Sequence, residues 1–253
     1  MVITLALSRI FRVGYTCRMA DKIQTRKSLA KYKHIIWDWN GTLLDDVAEC
    51  VATVNLLLER RGLPLLTIDR YRELVDFPVI DFYQRIGFDF SRESFNAVAQ
   101  EYITLYIQAL ARCQLQPHAR RLLDQLFDRG VTHSVLSAYQ QQRLEEAIDY
   151  FQLRPYFIRL IGLNDYYARS KLANGRRWID ELAQPLGEVL FVGDTLHDFE
   201  VARGIGVNCV LLACGHQSRA RLASCPAPIL DSLDQLTGYL QLDYERAAGL
   251  HFG

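Results

Sequence analysis

His34-Ile35-Ile36-Trp37-Asp38-Trp39-Asn40-Gly41-Thr42-Leu43 is the stretch that decides the fold. Its first four residues read as a short buried strand, and the run ends abruptly at a carboxylate, Asp38. Asn40-Gly41-Thr42 then supplies turn chemistry. A helical pattern follows over about 46–61, with Val47, Val51, Val54, Leu57 and Leu58 on one face, and Gly62 and Pro64 close it. Trp37 and Trp39 flank Asp38 and read as packing residues on opposite faces of the strand end.

Working outward, three more helical stretches are predicted at roughly 68–76, 79–86 and 92–112, and no strand between 45 and 115. That block reads as an all-helical insertion. Beyond Pro117 helices and short apolar strands alternate: helix 119–129, strand 131–136, helix 140–150, strand 157–160, helix 172–182, strand 189–192, helix 196–204 and strand 207–212. Alternation of this kind gives right-handed crossovers and a parallel sheet. The fold class is therefore α/β, a Rossmann-like parallel sheet core with helices on both faces. The division is 34–44 and 116–242 for the core, 45–115 for the helical cap, and 1–33 for a basic extension read as flexible.

In such folds chemistry sits at the carboxyl ends of the strands. Asp38, Ser137 and Asp194 each follow a strand, Lys171 precedes a helix, and Asp198 lies one helical turn past Asp194. Singly each has a plain explanation: a helix cap, a hydrated hydroxyl, a solvated surface charge. Together and in this order they carry weight. Asp38-Trp39-Asn40-Gly41-Thr42-Leu43 is similar to the D-x-D-G-T-L signature of the haloacid dehalogenase superfamily, and Gly193-Asp194-Thr195-Leu196-His197-Asp198 to its G-D-x-x-x-D signature. Ser137 resembles the second motif and Lys171 the third, and the insertion resembles the helical cap of the phosphoglycolate-phosphatase-like branch. The likeness covers roughly 33–240.

The resemblance implies a Mg²⁺-dependent hydrolase, foremost a phosphatase that acts on a small phosphorylated metabolite through an aspartyl-phosphate on Asp38. A carboxylate nucleophile splits one hard displacement into two easier ones. It also implies that Asp38, the backbone carbonyl of Asn40 and Asp194 hold the metal, while Asp198 holds a metal-bound water or orients Lys171. Lys171 and Ser137 would bind phosphoryl oxygens, with backbone N–H groups of the turn at Gly41 and Thr42 adding donors.

One departure matters. The family's usual acid/base two residues after the nucleophile is an aspartate, and here it is Asn40. An amide exchanges no proton near neutral pH, which removes a contribution worth roughly 10²–10⁴ in rate. The open readings are a slow phosphatase, one relayed through His197, one taking good leaving groups, a carbon-centre hydrolase, and a non-catalytic ligand or partner binder. Asn40→Asp is the substitution expected to restore proton transfer. Asp45 and Asp46 are explained by the positive end of the helix they precede. Arg72 and Arg85 in the aromatic-rich cap are candidates to meet a substrate anion, or simply solvated charges.

Charge is unevenly spread. Residues 1–34 carry eight Lys/Arg against Asp21 alone, so the rest is acidic by the same margin, which argues against general nucleic-acid binding. Cys17, Cys50, Cys113, Cys209, Cys214 and Cys225 show no C-x-x-C pairing and read as reduced, hence cytoplasmic. No run of 18 apolar residues exists to span a membrane. The basic start is a poor secretory signal and reads as a tail or a start upstream of Met19, with organelle targeting the alternative.

Overall fold

A computed structural model describes residues 31–164 and 171–241. The expectations for 1–30 therefore lie outside the described residues. Six parallel strands form the sheet in the order β5-β4-β1-β6-β7-β8. They are β1 (His34–Trp37), β4 (Thr132–Gln140), β5 (Phe157–Leu163), β6 (Val189–Gly193), β7 (Asn208–Leu212) and β8 (Ile229–Leu230). β1 lies at the centre, bonded in register to β4 on one side and β6 on the other.

The central strands are apolar on both faces because both faces are covered. Ile35, Trp37, Leu190 and Val192 enter one core with Leu122 and Leu126 of α5 (Ala119–Asp128), Leu144 and Ile148 of α6 (Gln141–Tyr150) and Leu236 of α9 (Leu233–Tyr239). Ile36, Val189 and Phe191 enter the other with Trp178 of α7 (Leu172–Leu182) and Val201 of α8 (Leu196–Ile205). Each fully buried side chain of this size contributes roughly 1.5–3 kcal/mol. Trp37 and Trp39 do not straddle the strand end: both sit in the first core, as the two-residue period of a strand requires.

The insertion folds as α1 (Val47–Arg60), α2 (Ile68–Leu74), α3 (Val79–Arg85) and α4 (Phe95–Ala109), followed by a 3₁₀ turn over Leu110–Arg112. It has a separate apolar core built on Val54, Leu57, Leu58, Phe82, Tyr83 and Val98. The expectation of no strand here needs a small correction. Two-residue strands β2 (Leu44–Asp45) and β3 (Gln114–Leu115) pair antiparallel where the chain enters and leaves the insertion. They form a separate ribbon and add nothing to the main sheet.

A second correction concerns Ser137, which was expected just past the end of its strand. β4 continues to Gln140, but its pairing with β5 shifts register between Leu136 and Gln140. Ser137 lies in that irregular stretch, so the ladder is interrupted at its position. Among the described residues no helix is long and apolar enough to cross a membrane.

Candidate active site

β1 and β6 end side by side, with Trp37 opposite Val192. The residues that follow each strand, Asp38 and Asp194, therefore emerge together at the carboxyl edge of the sheet. Lys171, one residue ahead of α7, reaches this edge from outside the strands. Its Nζ donates to Asp38 Oδ1 at 2.6 Å and lies 2.7 Å from Asp198 Oδ1. The lysine is 1 % exposed. Burial alone would discharge the ammonium, but the flanking carboxylates outweigh it and hold the pKa above the usual lysine value.

Asp198 is fully committed. Its Oδ2 accepts from Asp194 N, Thr195 N and Thr195 Oγ1, completing a capping box at the start of α8, and its Oδ1 takes Lys171. Of the two roles implied for it, the hydrogen bonds match orientation of Lys171. Asp194 accepts from Thr42 Oγ1 at 2.8 Å and from His216 N at 2.6 Å. The Thr42 hydroxyl thus fixes Asp194. Gly41, at φ +73°, has the same neighbour: a Cβ there would lie 2.4 Å from Asp194 Oδ2. Only glycine lets the turn pack so closely. A Cβ at Gly215 would meet the same oxygen at 2.2 Å. Ser137 Oγ is buried and accepts from Tyr139 N, which leaves its proton free to donate.

Asn40 faces the cap. Its Nδ2 donates to Asp46 Oδ2 at 2.7 Å and to Tyr106 Oη at 2.9 Å. Asp46 also accepts from Tyr106 Oη at 2.6 Å and from Gly41 N at 2.9 Å, and His216 Nε2 stands 3.3 Å away. The Gly41 N–H is therefore spent on Asp46. Burial pushes the Asp46 carboxyl up, but the His216 imidazolium and three hydrogen bonds hold it at about 2. Burial pulls His216 down, and Asp46 above all raises it to about 9. The dipole reading of Asp46 is thus incomplete: its side chain makes no capping bond and is 1 % exposed. Asp46, His216 and Gly215 escaped sequence reasoning. A polar Gly-His-Gln segment shortly after an apolar strand was the signal available for the latter two.

His197 stacks on Phe77 at 5.1 Å, and its Nδ1 is 3.7 Å from Glu200, beyond hydrogen-bonding distance. Arg72 donates to the carbonyls of Cys214 and Gly215, and Arg85 pairs with Asp76. Neither arginine faces the cavity that opens above Asp38 and Lys171.

Carboxylate oxygens of Asp38, Asp194 and Asp198 lie within 4.8 Å of one another. Burial, set against Lys171 and reinforced by Asp198, raises Asp38 to about 6. Burial, eased by His216 but reinforced by Asp198 and Asp38, raises Asp194 to about 7. Buried acids held above their ordinary range are a donor set that a hard divalent cation neutralises, so Asp38 and Asp194 fit one.

A family model described as haloacid dehalogenase-like hydrolase matches residues 35–212. The chain is 25% identical over 223 residues to a phosphoglycolate phosphatase of Pseudomonas syringae pv. syringae, covering 84% of this chain and 82% of that one. It is 27% identical over 207 residues to a phosphoglycolate phosphatase of Synechococcus elongatus, covering 80% and 94%. Among solved structures, a haloacid dehalogenase-like hydrolase from Bacteroides fragilis superposes with a TM-score of 0.70 at 22% identity, covering 81% of this chain and all of that one. A phosphatase from Clostridium acetobutylicum superposes with a TM-score of 0.69 at 20% identity, covering 83% and 98%.

Proposed function

The chain belongs to the haloacid dehalogenase-like hydrolase family, and from that premise we propose that it is a Mg²⁺-dependent phosphatase of small phosphate monoesters. The observation that carries this reading is Lys171, buried between Asp38 and Asp198 at 2.6 and 2.7 Å. A buried ammonium bonded to a nucleophile candidate, and oriented by a second carboxylate, is poised to receive phosphoryl oxygens.

In the first step an Asp38 oxygen attacks phosphorus in line. The Asp38–phosphorus bond forms, the ester bond breaks, and the leaving oxygen takes its proton from water, because Asn40 has none to give. In the second step water attacks phosphorus, the Asp38–phosphorus bond breaks to release phosphate and regenerate the carboxylate, and the proton the water loses neutralises the hydroxide left by the first step. Lys171 and the Ser137 hydroxyl hold the equatorial oxygens through both steps. Asp38, the Asn40 backbone carbonyl and Asp194 would hold Mg²⁺, which supplies charge neutralisation between two anionic partners. Thr42, Gly215 and His216 position Asp194. Residues 45–115 act as a lid over 34–44 and 116–242, and the ribbon of β2 and β3 is its hinge. The five described cysteines are free, which supports a reducing, cytoplasmic setting.

The test is hydrolysis of a panel of phosphate esters by the full chain. Asp38→Asn and excess EDTA should each reduce turnover to background, and Lys171→Met should cost roughly 10²–10³ in kcat. Undiminished turnover by Asp38→Asn would show that the nucleophile is misassigned. Binding of a phosphate mimic with no Asp38-dependent turnover would favour a ligand-binding role instead.

A further inference from the structure

The cavity over the nucleophile has two unlike ends. At the core end Asp38, Asp46, Asp198, Lys171 and His216 line it, and both cations there already face carboxylates: Lys171 lies between Asp38 and Asp198, and His216 stands against Asp46. The cap end is apolar and aromatic, walled by Val75, Phe77, Val79, Phe82, Phe95 and Ile103. None of the cap's seven arginines lines it. Arg60 and Arg61 pair with Glu101, Arg70 with Glu73, Arg85 with Asp76, Arg92 with Asp89 and Arg112 with Glu49, while Arg72 holds two backbone carbonyls. Two buried lining atoms, Tyr139 Oη and His197 Nε2, find no partner among the described residues. Burial disfavours the charged form of both side chains, raising the Tyr139 phenol and lowering the His197 imidazole.

From this we infer that the site takes phosphate monoesters of an uncharged single-ring aromatic alcohol, and discriminates against esters whose alcohol part carries a carboxylate or a second phosphate. The inference rests on the phosphatase reading and specifies its substrate class. A second anion would enter an apolar pocket in which no cation among the described residues is left to meet it, and burying an unpaired charge is unfavourable. A neutral ring would instead bury its faces against Phe77 and Phe82. The cavity volume, core and cap ends together, is about 170 Å³, which the phosphoryl group and the alcohol part must share. An apolar cavity of about 150 Å³ is known to hold benzene, so the space suits one ring rather than a fused system.

Asn40 points the same way by an independent route. With no acid at that position, the ester oxygen must depart largely as an anion. A phenol ionises near pH 10, like the tyrosine side chain, whereas alkanols ionise only several units higher. An aryl ester therefore loses least from the missing proton donor.

The experiment compares kcat/KM for phenyl phosphate, benzyl phosphate, phosphoglycolate and fructose 1,6-bisphosphate, using the full chain with saturating Mg²⁺ and Asp38→Asn as the control. Phenyl phosphate should exceed phosphoglycolate by roughly 10²-fold or more. Benzyl phosphate should share the low KM of phenyl phosphate but show a lower kcat, separating the pocket's contribution from that of the leaving group. Phosphoglycolate or the bisphosphate within tenfold of phenyl phosphate would overturn the substrate class and leave the phosphatase reading standing. Absence of Asp38-dependent turnover with every ester would sink the phosphatase reading itself. Calorimetry would then decide the pocket: tighter binding of phenylphosphonate than of phosphonoacetate supports the class, and the reverse order or equality overturns it.

Discussion

Asn40 and Asp46 are best understood as one unit. The amide of Asn40 donates to a carboxylate oxygen 2.7 Å away, and among the described residues Asp46 has no other side-chain amide donor. From sequence alone Asn40→Asp was expected to restore an acid/base. In the structure that change sets two carboxylates face to face in a buried site and deletes a charge-assisted hydrogen bond. The variant should lose roughly 3 kcal/mol of stability at pH 7, and less at lower pH, where the like charge favours protonation of the new carboxyl and its proton donates to Asp46. Exchanging the pair, Asn40→Asp with Asp46→Asn, restores one amide and one acid. The two changes should couple by roughly 1–3 kcal/mol in thermal or urea unfolding. The exchanged protein should also hydrolyse alkyl phosphates roughly 10²-fold faster than wild type. Purely additive effects on stability would show that the two side chains do not act as a unit.

Between the elements, the cap is tied to the core by α2 and by the loop that follows β7. Arg72 reaches the carbonyls of Cys214 and Gly215, Tyr71 Oη meets His216 Nδ1 at 3.0 Å, and Gln217 Nε2 and Arg221 both donate to the Val75 carbonyl. Arg72→Ala should cut two of these ties without touching Asp38. Amide exchange over Ile68–Leu74 should accelerate while the strands His34–Trp37 and Val189–Gly193 stay protected. Uniform protection in both proteins would mean the contacts do not govern cap motion.

These ties were not legible in the sequence, and the reason is physical. β1, β6 and the strand-end residues announce themselves through local patterns of apolar runs, turn chemistry and spacing. Asp46 and His216 meet although they lie 170 positions apart, and Asp46 had a sufficient local explanation at its helix start. β2 and β3 are too short for any periodicity to register. Ser137 was found by its place after an apolar run, but the continuation of β4 past it depends on pairing with β5.

Across the whole molecule, buried ionisable groups set opposing slopes of stability against pH. His34 and His133 lie in the sheet at 0 % exposure, and burial lowers them to about 4 and about 3. Unfolded histidine takes a proton near pH 6.5. Their contribution is thus complete above that value and is lost as pH falls toward the folded values, roughly 3 kcal/mol from each by pH 4. Asp38 and Asp194 run the other way. Their folded values of about 6 and about 7 lie above those of the unfolded chain, so without a cation the native state binds the extra protons. They therefore favour the fold below about pH 4 and oppose it increasingly as pH rises to 7. In EDTA the two trends offset, and unfolding free energy should vary little between pH 4.5 and 6.5. A bound divalent cation keeps both carboxylates ionised and removes their proton uptake, which exposes the histidine slope. With saturating Mg²⁺, stability should therefore fall steeply over the same interval, while standing higher than in EDTA at pH 7. His133→Asn, which retains an acceptor for Trp37 Nε1, should halve that slope. Urea titrations at several pH values would measure both curves. Parallel curves with and without Mg²⁺ would mean that no cation engages Asp38 and Asp194.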